Sequence, residues 1–124
     1  MNSKRLPGKV MLKILEKPVL WHIYHRLNSC KNLDDVVIST GVKEKNQEIC
    51  NFAEEFSIPY YSGSEMNLVE RLYETAKKFN ATSIIRVTAD CPLVEPDIVD
   101  QMILEHKKSK NHYDVITNSF SYSF

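Results

Sequence analysis

Glycine is scarce in this chain, with three in 124 residues, and neither GxGxxG nor GxxxxGK[ST] occurs. That excludes the dinucleotide fingerprint and the P-loop, so any nucleotide site must be of another design. The cysteines, Cys30, Cys50 and Cys91, are odd in number and form no CxxC pair. Neither a disulfide framework nor a zinc site is indicated, and reduced, mostly buried thiols are expected. No apolar run approaches the roughly 18 residues of a membrane span, and no charged segment followed by an apolar one opens the chain. A soluble, cytoplasmic protein is the expectation. Charge of one sign is also lacking: 16 basic residues balance 16 acidic ones. No overall field favours nucleic acid or an anionic membrane, and an anion site has to be local.

What is present is a core's worth of apolar residues, 43% of the chain, in an alternating pattern of elements. One domain spanning 1–124 suffices for this length. Val19, Leu20, Ile23, Tyr24 and Leu27 lie at helical spacing over 18–29, with Pro18 suited to the first helical position. The β-branched run 35–40 reads as a buried strand and 44–56 as a helix with Ile49, Phe52, Ala53 and Phe56 on one face. A second strand follows at 58–61, a helix at 68–79, an apolar strand at 83–88, a helix at 97–108 and a last strand at 113–117. Strands alternating with helices imply an α/β fold, a mainly parallel sheet with helices on both faces. Ligands in such sheets gather beyond the carboxyl ends of the strands. Three places qualify: 39–41, 62–65 and 88–92.

Two segments carry candidate chemistry. The first is NSKRLPGK at 2–9, where Lys4, Arg5 and Lys9 surround a Pro7-Gly8 turn. Arg5 can fork two hydrogen bonds to phosphate oxygens and Lys9 can act as a point charge, which suits a polyphosphate; the same residues also make an ordinary solvated turn. In this architecture a basic turn leading into a helix normally follows a strand, yet only Met1 precedes it. The second segment is RVTADCPLVEPD, in which Asp90 follows an apolar strand. A carboxylate there suits Mg²⁺, which needs few protein ligands when phosphates supply the rest; capping of the next turn is the alternative. Asp97 and Asp100 read as helix-start residues, Arg86 as an ion-pair partner or an anion contact, and the tyrosines and Trp21 chiefly as core. The histidines form no cluster in the sequence.

Together these segments resemble the cytidylyltransferase family of sugar-nucleotide synthetases, closest in look to the branch of spore-coat polysaccharide biosynthesis protein F, with acylneuraminate and 3-deoxy-manno-octulosonate cytidylyltransferases as relatives. The family's opening M-G-S-T-R-L-P-G-K-V is similar to residues 1–10, its VVVATS to VVISTG at 36–41, and its RGSEDDVLDRY to YSGSEMNLVERL at 61–72. Its RITGDCPLIDPELID is similar to RVTADCPLVEPDIVD at 86–100, and its YDYVSN to YDVITN at 113–118. The resemblance implies a Rossmann-like nucleotide-diphospho-sugar transferase fold. It implies transfer of CMP from CTP to a sugar acid, acylneuraminate-like, with release of pyrophosphate and help from Mg²⁺, for surface polysaccharide or glycan synthesis. By motif, Arg5, Lys9 and Asp90 would be catalytic and Asp90 would hold the metal. Ser3, Arg5, Lys9, Ser39, Thr40, Ser64 and Glu65 would contact the nucleotide, and the full-length form would be a homodimer.

Departures from the pattern set further expectations. Asn2 and Lys4 replace Gly and Thr. The family's first strand, ending in Gln-Ala-Arg, is absent, and the chain stops at Phe124, before the family's sugar-acid contacts, dimer contacts and second acidic metal ligand. The expectation is therefore a truncated domain that is unstable or inactive as an isolated enzyme. The alternatives are a nucleotide-binding or interaction module without catalysis, and a plain α/β scaffold.

Overall fold

The computed structural model describes residues 8–109, 112 and 114–117. After a single 3-10 turn, Lys9–Met11, the chain forms a small antiparallel hairpin of β1 (Lys13–Ile14) and β2 (Lys17–Pro18), which leads directly into helix α1 (Val19–Leu27). Pro18 ends β2 and stands one residue before the helix rather than within it. The His22 ring reaches back to the Ile14 carbonyl at 2.6 Å and pins the hairpin to α1.

The sheet proper is short. β3 (Ile38–Thr40) pairs in parallel with β4 (Tyr60–Ser62), in register Ile38 with Tyr60 and Thr40 with Ser62. Between them runs a 3-10 turn, Lys43–Lys45, and helix α2 (Gln47–Glu55), where the sequence suggests one continuous helix over 44–56. Helix α3 (Leu68–Lys78) follows β4, capped by Asn67, whose side chain accepts the Glu70 N–H at 3.0 Å. Helix α4 (Pro96–Ser109) closes the described elements and begins on a proline, which fits the first helical position because no N–H is needed there.

Both α2 and α3 end alike. Ser57 and Asn80 take left-handed φ of 54° and 53°. Ile58 N–H bonds Ala53 O at 2.8 Å, and Ala81 N–H bonds Ala76 O at 2.9 Å. These six-to-one bonds satisfy carbonyls that the helix end would otherwise leave bare.

Two apolar clusters form the core. In the first, Val10 and Leu20 meet Ile49, Phe52 and Ala53 of α2 and Ile58, with Ile38 and Tyr60 of the sheet packed against them. In the second, Ile23 and Leu27 of α1 meet Val99 of α4, joined by Ile85 and Val87. Helices α1 and α2 thus cover one face of the β3–β4 pair, and α4 packs on α1 beside the run 85–87. On the other face Ser39 Oγ meets Thr75 Oγ1 of α3 at 2.9 Å. This is the α/β arrangement with helices on both faces and a parallel pair at its centre.

Two strand expectations change. The run 83–88 joins no ladder despite its β-branched composition, since no described strand lies beside it. Of the strand expected at 113–117, residue 113 lies outside the described residues and 114–117 join no ladder. Cys50 is fully buried and Cys30 half-buried, but Cys91 is exposed. Among the described residues no helix is long and apolar enough to cross a membrane.

Candidate functional site

Gly8 adopts φ 67°, ψ 15°, a left-handed conformation that a Cβ disfavours, and its carbonyl accepts the Met11 N–H at 3.0 Å. This bend turns the chain into the Lys9–Met11 turn, while Val10 anchors it in the core. Lys9 is thereby brought to Asp90, 81 residues away in sequence, with Nζ to Oδ2 at 3.3 Å. Asp90 sits on its own tight turn, in which Cys91 N–H bonds Thr88 O at 3.3 Å and Val94 N–H bonds Cys91 O at 3.1 Å. Ala89 packs against both core clusters and fixes that turn to the body.

The pair is half-exposed, with 38% and 51% of the two side chains accessible. Exposed ion pairs are worth about 0–1 kcal/mol, so this one contributes little to folding and is free to exchange partners. The Thr88 hydroxyl and then Lys9 hold the Asp90 carboxyl below the usual carboxylate range. Lys9 Nζ meets Asp90 Oδ2 at 3.3 Å, and the Thr88 hydroxyl also lies 3.3 Å from Cys91 Sγ. Asp90 is accordingly an anion at neutral pH, ready to face a cation. Both residues border an open cleft of about 340 Å³ that Leu12, Lys13 and Ile14 of the hairpin wall on one side and Pro92 on the other. Lys13 adds a second cation to this cleft. The sequence reading passed over it; its position four residues after Lys9 was the available signal.

The second group of candidates lies at the carboxyl ends of β3 and β4. Glu65 Oε2 accepts the Val42 N–H at 3.0 Å and the Asn46 amide at 2.9 Å, and Ser62 Oγ donates to Gly41 O at 2.8 Å. A Cβ on Gly41 would collide with the Glu65 carboxylate and approach Asn46 Nδ2 to 2.9 Å, so the glycine is needed for this close approach. Ser64 Oγ accepts the Asn67 N–H at 3.0 Å and its carbonyl accepts from Arg71 at 2.9 Å. Thr40 is buried, and Ser39 is bonded to α3. In this structure Ser39, Ser64 and Glu65 thus bond the protein itself, shaping the strand ends. Ser3 and Arg5 lie outside the described residues.

Among the described residues no group of three His, Cys, Asp or Glu side chains converges to hold a metal ion by itself. Asp90 alone still fits Mg²⁺, which takes one or two carboxylates together with phosphate oxygens and waters. It does not fit a metal that demands a full protein cage.

The chain matches the cytidylyltransferase family model over residues 1–121. It is 30% identical over 123 residues to the spore coat polysaccharide biosynthesis protein SpsF of Bacillus subtilis, covering 96% of this chain and 51% of that protein. It is 32% identical over 107 residues to the 3-deoxy-manno-octulosonate cytidylyltransferase of Lawsonia intracellularis, covering 82% of this chain and 41% of the relative. A solved cytidylyltransferase from Leptospira borgpetersenii superposes with a TM-score of 0.89 at 29% identity, over all of this chain and 52% of its own. The chain therefore spans about half the length of the relatives it matches. With a family match running through both the basic turn and the Asp90 turn, the chain belongs to the cytidylyltransferase family.

Proposed function

We propose that the chain carries the nucleotide-binding part of a CTP-dependent cytidylyltransferase that transfers CMP to a sugar acid and releases pyrophosphate. One observation carries this reading: two motifs 81 residues apart in the chain bring a cation and an anion to 3.3 Å at the rim of one cleft. Lys9 would exchange Asp90 for phosphate oxygens of the bound triphosphate. Asp90, released from Lys9, would give one carboxylate oxygen to a Mg²⁺ ion carried by the nucleotide. That ion would neutralise charge on the triphosphate.

The chemistry joins a sugar hydroxyl oxygen to the α-phosphorus and breaks the bond to pyrophosphate, with the hydroxyl proton lost to solvent or a base. It depends mainly on positioning and charge neutralisation, so Lys9 and Lys13 beside the cleft supply what the leaving pyrophosphate needs. Arg5, four residues before Lys9 in sequence, and Ser3 belong to this reading by motif. Ser39, Thr40, Ser64 and Glu65 support the base and ribose side by shaping the strand ends. A keto-deoxy sugar acid is the acceptor class that the Lawsonia relative's name supports, ahead of an acylneuraminate.

Titrating CTP with Mg²⁺ into the chain, while following heat and thermal midpoint, tests the binding half. Binding that Lys9→Ala and Asp90→Asn each weaken at least about tenfold, an energy near 1.4 kcal/mol, supports the clamp. Undiminished binding in both variants removes it. Pyrophosphate release in the presence of a sugar acid then separates a transferase from a module that only binds.

A further inference from the structure

Two backbone hydrogen bonds fold the Asp90 turn on itself, Cys91 N–H to Thr88 O at 3.3 Å and Val94 N–H to Cys91 O at 3.1 Å, but neither fastens it to the body of the protein. Among the described residues the side chains that reach 88–95 from elsewhere by hydrogen bonds are Lys9, at Asp90 itself, and Arg26 of α1. Arg26 Nε donates to the Val94 carbonyl at 2.7 Å, and its Nη2 meets Glu95 Oε1 at 3.3 Å. Its place on the helix explains this reach. Arg26 flanks the buried stripe, whose Ile23 and Leu27 turn into the second cluster, and Val94 packs against that cluster. The planar guanidinium then engages a carbonyl and a carboxylate together, which the point charge of a lysine does less well.

The two contacts are unequal. Glu95 is 58% exposed, and an ion pair in water is weak and exchangeable. The bond to Val94 is shorter, partly buried and charge-assisted, so it carries the attachment. From Val94 the restraint runs back along the turn, through Val94 N–H to Cys91 O and past Pro92, which has a fixed φ and walls the cleft. Asp90 comes next. The same helix also sets the other half of the site, since its Leu20 packs with Val10, the neighbour of Lys9. Arg26 lies six residues beyond Leu20, about 9 Å along the helix axis. One rigid helix thus spaces the basic turn from the acidic one.

We infer that Arg26 is a positioning residue for Asp90: by holding the Val94 carbonyl it keeps the carboxylate where the Mg²⁺ of a bound triphosphate can be met. This inference rests on the clamp reading given above. Arg26 does not border the cleft and acts on it through the turn. Loss of the guanidinium leaves α4 seated, because Val99 is buried in the second cluster and Asp100 accepts the Lys31 and Asn32 N–H groups at 3.0 and 2.9 Å. What it frees is the arc 90–95. Mg²⁺ demands near-ideal octahedral geometry with bonds of about 2.0–2.1 Å, whereas Ca²⁺ accepts flexible geometry at about 2.3–2.6 Å. A loosened carboxylate therefore fails Mg²⁺ more than Ca²⁺ and leaves phosphate binding by Lys9 in place.

The test titrates CTP into the 124-residue parent, Arg26→Met, Arg26→Lys, Glu95→Gln and Asp90→Asn, each with Mg²⁺, with Ca²⁺ and with EDTA, and follows heat. Methionine keeps an apolar stem on α1 and removes both bonds. Arg26→Met should weaken binding in Mg²⁺ at least about tenfold, in Ca²⁺ by less than about threefold, and in EDTA not at all. Arg26→Lys should recover part of the Mg²⁺ effect, and Glu95→Gln should bind as the parent does. Equal losses in Mg²⁺ and Ca²⁺, or a loss that extends to EDTA, would mark a general structural role and overturn the inference, as would undiminished Mg²⁺ binding in Arg26→Met. If Arg26→Met does not fold, the comparison passes to Arg26→Lys, where a larger loss in Mg²⁺ than in Ca²⁺ supports the inference and equal values overturn it. Asp90→Asn separates the two readings. An intact Mg²⁺ effect in that variant removes the clamp and this inference with it; its loss there, beside an intact effect in Arg26→Met, removes the inference alone.

Discussion

The β1–β2 hairpin turns through Leu15 and Glu16, closed by the register Ile14 with Lys17, and both turn residues have positive φ, 49° and 68°. Two-residue hairpins prefer this geometry because its twist matches the strands, but the residues suited to it are Asn and Gly. For other L-residues a left-handed backbone costs about 1–2 kcal/mol each, so Leu15 and Glu16 together store roughly 2–4 kcal/mol. Leu15 is 88% exposed and would forfeit almost no burial on replacement. The double change Leu15→Asn with Glu16→Gly relieves most of that strain, less about 1 kcal/mol for the extra freedom glycine gives the unfolded chain. The net gain should be about 1–2 kcal/mol, or roughly 3–10 °C in Tm for a chain of this size. Thermal and urea unfolding followed by circular dichroism measures it. The control pair Leu15→Ala with Glu16→Ala keeps the strain and should gain nothing. A double variant no more stable than the parent, or an alanine pair that gains as much, would refute the strain argument.

Further outcomes follow from other sites. Ser57→Gly, at the left-handed residue that ends α2, should stabilise by about 0–1 kcal/mol in the same unfolding assays, the relieved Cβ penalty of about 1–2 kcal/mol being offset by about 1 kcal/mol of extra freedom in the unfolded chain. Glu65→Ala removes the acceptor for Val42 N–H and the Asn46 amide and should cost about 1–3 kcal/mol, seen as a lower urea midpoint with an unchanged slope. Asp100 accepts the backbone N–H groups of Lys31 and Asn32 at 3.0 and 2.9 Å, bonds that lower its pKa. A carboxyl lowered in the folded state stabilises at pH values above its unfolded pKa and loses that contribution as pH falls through the folded one. The parent should therefore lose stability on acidification below about pH 4, and Asp100→Asn should flatten that part of the pH profile.

The helices were legible because their apolar residues recur at helical spacing: Leu20, Ile23 and Leu27 are all buried in α1, and Ile49, Phe52 and Ala53 in α2. The break before α2 was not legible, because the apolar stripe gives no sign that the chain tightens into the Lys43–Lys45 turn and re-enters at Gln47. The hairpin escaped notice for a different reason: Leu15 and Glu16 carry none of the Gly or Asn chemistry by which such turns are recognised. The run 83–88 has the composition of a strand, but a ladder is a property of two segments, and no described strand stands beside it. Spacing alone could never join Lys9 to Asp90 across 81 residues; the family resemblance of their two motifs did. Glu65 could be marked as a polar residue at a strand end, but not that its carboxylate would already hold Val42 and Asn46.

The central claim is that Lys9 and Asp90 form a clamp whose mutual bond gives way to a Mg²⁺-bound triphosphate. Isothermal titration of CTP into the parent, Lys9→Ala and Asp90→Asn proteins, with Mg²⁺ and with EDTA, tests it most directly. A clamp requires binding that depends on Mg²⁺ in the parent, weakens at least about tenfold in Lys9→Ala, and becomes insensitive to Mg²⁺ in Asp90→Asn while the fold survives. Parent binding that is indifferent to Mg²⁺, or an Asp90→Asn protein that keeps the full metal dependence, would contradict it.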